Sequence, residues 1–60
     1  MTNRQAINIA IWAMEKEVRR LAPLANLHTV YKANTPATIQ AAKDRDKLNV
    51  AIEILKRSRQ

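Results

Sequence analysis

Sixty residues make one small domain at most, and a chain of this size buries only about 60% of the surface its unfolded form exposes. With no cysteine and a single histidine, disulfide and metal staples are excluded as support for so small a core, which leaves a second copy of the chain. The complete lack of glycine excludes a glycine-rich phosphate loop, while a net charge of +6 makes an anionic partner such as nucleic acid a candidate.

Ala, Ile and Leu dominate and Phe is absent, the balance of a helical chain, so the expected class is all-α. Absent cysteine fits a reducing cytosol. No charged leader with an apolar core opens the sequence, and no apolar run approaches the roughly 20 residues of a membrane span. The expectation is a soluble protein of the cytoplasm with no membrane contact, forming one domain over residues 1–60.

In chain order, Thr2 followed by Gln5 reads as a capping box that starts the first helix. Ile7, Ile11, Met14, Val18 and Leu21 then recur at alternating spacings of four and three, a heptad seam. Ile9 and Trp12 lie roughly 100 to 160° from Ile11, a second apolar strip. One partner cannot cover both. Among the polar positions, Glu15 and Arg19 are placed to attract at i,i+4, and Lys16 and Arg20 to repel.

Pro23 removes an amide that the Arg19 carbonyl would have accepted from and disfavours a helical Ala22. A single kinked helix to about Ala33 is expected in preference to two helices, because nothing else turn-like surrounds the proline. Leu24, Leu27 and Tyr31 keep helical spacing on a face rotated by roughly 60 to 120° from the seam that would continue through Ala25 and His28. That rotation predicts a second half wrapping around its neighbour.

Asn34, Thr35 and Pro36 mark the boundary: Asn34 ends one helix, Thr35 caps the next and Pro36 suits its first turn. The second helix, from Pro36 to about Arg57, puts Ala37, Ala41, Leu48, Ala51, Ile52 and Leu55 on one side. Ile39, Val50 and Ile54 lie nearly opposite. Lys56, Arg57 and Arg59 close it where cations favour the helix dipole. Two helices cannot enclose a core, so two hairpins in a homodimeric four-helix arrangement are the economical solution, with Ile7, Ile11, Met14, Val18, Leu21, Leu48, Ile52 and Leu55 as core and dimer residues.

Catalysis of the nucleophilic or acid–base kind needs a constellation that one His, no Cys and a lone Ser58 cannot supply. No enzyme and no cofactor is expected, and a solitary His28 reads as a hydrogen-bonded interior residue rather than a metal ligand. The positive charge is spread along the chain. Lys43, Arg45 and Lys47 alternate with Asp44 and Asp46, the pattern of a solvated, self-paired face, with Arg45 near enough to the inner side to reach Glu15 or Glu17. Trp12 reads first as an interface residue and Tyr31 as one flanking the core, although both rings are also able to stack on a base or plug a partner's pocket. The candidate partner contacts are Trp12, Arg19, Arg20, Tyr31, Lys43 and Lys47.

The run Met14-Glu15-Lys16-Glu17-Val18-Arg19-Arg20-Leu21-Ala22, with Ala25-Asn26-Leu27-His28, Thr35-Pro36-Ala37, Lys43-Asp44-Arg45 and Ala51-Ile52-Glu53-Ile54-Leu55, resembles small phage-encoded helical proteins. Among these, the Hachiman anti-defence proteins block a bacterial immune system. The resemblance implies a non-enzymatic role inside a host cell, binding and inhibiting a defence protein; it places no functional residue. The other expectations are a nucleic-acid-binding regulator, resting on charge, and a sponge for a host nucleotide signal held in a dimer crevice. Steep salt dependence would mark the nucleic-acid reading.

Overall fold

A computed structural model, which describes residues 1–59, shows two α-helices and a short turn. Helix α1 spans Asn3–Thr29 and α2 spans Pro36–Arg59. They run antiparallel as a hairpin 42 Å long and 15 to 16 Å across, so the all-α hairpin expected from the sequence is the fold.

The N-terminus forms as its residues dictate. Thr2 Oγ1 accepts from the Gln5 amide at 3.1 Å, and the Thr2 amide donates to Gln5 Oε1 at 2.9 Å, completing the capping box. The helix continues through Pro23 without interruption, as a single helix was expected to do, but it ends at Thr29 rather than near Ala33. Lys32, not Asn34, makes the reversal: its φ of 57° is the left-handed conformation that ends helices, and it lets the Ala33 amide donate back to the Leu27 carbonyl at 2.8 Å. With glycine absent from the chain, a lysine bears that conformation at a cost of about 1 kcal/mol.

Thr35 caps α2 as predicted, its hydroxyl accepting from the Thr38 amide at 3.3 Å. Thr38 is itself buried, with its hydroxyl 3.1 Å from the Ala33 carbonyl and 3.0 Å from Thr35 Oγ1. His28, half-buried, donates from Nδ1 to the same Ala33 carbonyl at 2.8 Å; a carbonyl only accepts, which fixes the proton on Nδ1. His28 is thus the hydrogen-bonded inner residue expected of it, and its work is to fasten the turn.

The core is small. Leu21, Ala25, Ala41 and Ala42 form a buried cluster with Leu48 packed on it, and Ile11 and Ile52 are buried further toward the open end. The rest of the predicted core and dimer residues, Ile7, Met14, Val18, Leu48 and Leu55, are only half-buried. Two expectations fail here. Leu24, Leu27 and Tyr31 do not wrap around α2: all three are exposed, Tyr31 at 75%, while Ala25 is fully buried. The original seam runs straight past the proline, because an alanine there admits the closer approach that Leu24 and Leu27 would block. Ala37 is also exposed, since α1 has ended before reaching its level, and Thr38 takes the inner place against the turn.

The helices meet along two long edges of different character. On one, Lys56 Nζ lies 3.9 Å from Glu15, Arg59 Nη1 donates to Asn8 Oδ1 at 2.9 Å, and Arg45 reaches Asn26 Oδ1 at 3.5 Å. On the other, Leu21 and Leu48 line a shallow hollow with Glu17, Asp44 and Lys47, and among the described residues no polar contact joins the helices there. Arg45 therefore reaches neither Glu15 nor Glu17; the register sets it opposite Asn26, roughly 16 Å along α1 from Glu15, and it pairs with Asp46 at 3.2 Å. No helix among the described residues is long and apolar enough to cross a membrane.

Candidate partner-binding surface

The face of α1 turned away from α2 carries Trp12, 59% exposed, with Ile9 a turn before it, Lys16 a turn after and Arg20 a turn beyond. The heptad seam dictates this placement: with Ile11, Val18 and Ala25 turned inward, residues at Trp12 plus four and plus eight must point out. Lys16 Nζ sits 5.3 Å from the centre of the indole ring, within cation–π range, worth about 0.5 to 1 kcal/mol at an exposed site.

The neighbouring charges are ordered too. Arg20 Nε donates to both carboxylate oxygens of Glu17, each at 3.0 Å, and Nη2 makes a further close contact. That hydrogen-bonded pairing holds the Glu17 carboxyl below the usual carboxylate range and the Arg20 guanidinium above its own. Both groups are exposed, so the pair orients Arg20 more than it stabilises the fold. The attraction expected between Glu15 and Arg19 does not form, since Glu15 turns to Lys56, while Lys16 and Arg20, expected to repel, lean on Trp12 and Glu17 respectively. Arg19 is left beside the ring, lining the same shallow hollow as Trp12, Ala13, Lys16 and Arg20.

Of the partner candidates read from the sequence, the fold gathers Trp12, Arg19 and Arg20 and scatters the rest. Tyr31 sits at the turn, roughly 28 Å along the hairpin from Trp12. Lys43 and Lys47 lie exposed on α2, on the opposite side of the hairpin. Trp12 is not buried within the hairpin, and the exposed Tyr31 does not flank its core. Lys16 is the residue that sequence reasoning passed over: its spacing of four puts it a turn from Trp12, but only the built helix shows it over the ring.

An exposed aromatic plate bordered by three cations and one carboxylate suits a partner with a flat apolar patch and acidic neighbours. His28 and Ser58 stand at opposite ends of the hairpin, with Ser58 donating to the Ile54 carbonyl at 3.1 Å. Among the described residues no three His, Asp or Glu side chains converge. Compared with known proteins, the chain matches no family model, no curated protein and no solved structure.

Proposed function

We propose that this chain is a small non-enzymatic accessory protein of the phage anti-defence kind, which binds and inhibits a host defence protein in the cytoplasm and works as a homodimer of hairpins. The observation that carries the binding role is the exposed Trp12 held under Lys16 with Arg19 and Arg20 beside it. Tryptophan and arginine are the residues that most often dominate interface energy, and here they occupy the helix face that folding leaves free. The choice of a defence protein as target rests on the sequence resemblance alone.

The dimer is supported by surface. A compact monomer of 6.9 kDa exposes about 4,000 Å², whereas this hairpin exposes 4546 Å², with three residues of the heptad pattern, Ile7, Met14 and Val18, half-covered. The second reading, nucleic-acid binding, draws on the same juxtaposition of an indole and cations together with the net charge of +6.

The test is retrieval from a bacterial lysate with and without nuclease, followed by titration of the purified partner against wild type, Trp12→Ala and Arg20→Gln. The proposed role predicts a protein retained after nuclease, lost with Trp12→Ala and bound more weakly by Arg20→Gln. Capture that disappears with nuclease would establish the nucleic-acid reading instead.

A further inference from the structure

We infer that the outward face of α1 from Ile9 to Leu27 is a docking strip for one amphipathic helix of the partner, a helix whose apolar residues flank an acidic middle. This rests on the partner-binding reading of Trp12 above and adds the class of element that binds.

The strip is continuous. At 100° per residue Ile9, Trp12, Lys16, Arg20, Leu24 and Leu27 fall within roughly 120° of arc, on the side of α1 opposite the buried Ile11 and Ala25. All six are exposed, the two leucines at 41% and 42%. Steps of three or four residues set them about 4.5 to 6 Å apart along the axis. A second helix lying alongside repeats at that interval, whereas same-face residues of a strand stand about 7 Å apart.

Charge along the strip selects the occupant. Residues 5–14 and 21–31 hold no Lys, Arg, Asp or Glu, so the charge here is confined to the turn and a half from Glu15 to Arg20. Lys16, Arg19 and Arg20 supply three cations; of the two carboxylates, Glu15 turns to Lys56 on α2 and Glu17 is held by Arg20. The strip is therefore apolar, then basic, then apolar, with its apolar ends centred roughly 22 Å apart. A second copy laid on it in register would set one basic middle on another and be repelled. Nucleic acid would find cations over a turn and a half and bare leucines beyond. A membrane surface would have to immerse Lys16 and Arg20, which lie within the apolar arc rather than on a separate polar face. A helix with carboxylates between two apolar ends matches all three parts of the strip.

Fluorescence anisotropy of labelled helical peptides of about 20 residues tests this, a length of roughly 30 Å that covers the strip. One peptide carries Leu at both ends of its apolar face and Glu between; a second has the same residues with Glu at the ends and Leu between; a third has Lys in place of Glu. The first should bind wild type at least roughly tenfold more tightly than either of the others. Leu24→Ser/Leu27→Ser, and separately Trp12→Ala, should each weaken it roughly tenfold while keeping the wild-type melt, because these side chains are exposed. Equal binding of the first two peptides, or no binding of the first, overturns the strip, and the Trp12 anchor then stands or falls on the lysate retrieval. Loss with Trp12→Ala but not with Leu24→Ser/Leu27→Ser overturns the strip and leaves the anchor. Tighter binding of a thymidine oligonucleotide or of phosphatidylglycerol vesicles than of the first peptide overturns it in favour of nucleic acid or a lipid surface.

Discussion

The two ends of the hairpin solve the same packing problem with different residues. Near the turn, alanines meet alanines: Ala25, Ala41 and Ala42 close around Leu21, Thr38 and His28 donate to the Ala33 carbonyl, and the Thr35 hydroxyl accepts from the Thr38 amide. At the open end, Ile11 and Ile52 are buried, but Ile7, Met14, Val18 and Leu55 keep part of their surface in water, and the helices are tied by Lys56 to Glu15 and Arg59 to Asn8. Small residues let two helices seal a seam without help; large ones at heptad spacing need more helices to cover them. The strongest apolar signal in the sequence therefore marks the least finished part of the single chain.

The largest effect expected is at the open end. Ile11→Asp forfeits roughly 1.5 to 3 kcal/mol of apolar burial and forces a carboxylate into a seam with nothing to hydrate it. For a 60-residue chain that exceeds the stability available, and circular dichroism should show loss of the cooperative melt, whereas Ile9→Asp, on the exposed face, should leave it. A folded Ile11→Asp would mean that the turn end alone holds the hairpin together.

Between the two ends, Pro23 is exposed and α1 runs through it as one helix. Pro23→Ala restores a backbone donor to the Arg19 carbonyl and should stabilise the protein by up to about 3 kcal/mol, a rise of many degrees in Tm. A fall in Tm would show that the proline seats Ala25 against Ala41 and Ala42.

Ala25→Leu tests the close approach at the turn end and should cost about 1 to 3 kcal/mol by overpacking, read from denaturant unfolding. The same enlargement at the half-exposed Ala10 should cost much less. Equal costs would erase the contrast between the ends. The smallest effect belongs to Lys32, whose left-handed φ glycine adopts freely: Lys32→Gly should raise stability by about 1 kcal/mol in the same assay.

Much of this was legible in the residues. Thr2 with Gln5, and Thr35 with Pro36, fixed both helix starts because capping is local chemistry. The seam from Ile7 to Leu21 named the inner face correctly. Beyond it, Leu24, Leu27 and Tyr31 misled because their spacing is helical but their bulk is wrong for the close approach that Ala25 permits. Ala37 has the right angle and the wrong level, a matter of where α1 ends, which no periodicity contains. Arg45 depended on the same interhelical register. The Trp12 cluster was half visible: the ring and Arg19 and Arg20 were readable as contacts, while Lys16 over the ring needed the helix to be built.

The central claim is that one hairpin is an unfinished unit completed by a second copy, and the dependence of Tm on protein concentration tests it most directly. If folding and pairing are coupled, Tm should rise steadily over a roughly hundredfold increase in concentration, because association stabilises the folded state by mass action. A cooperative melt at an unchanging temperature, from a species of 6.9 kDa, would contradict it.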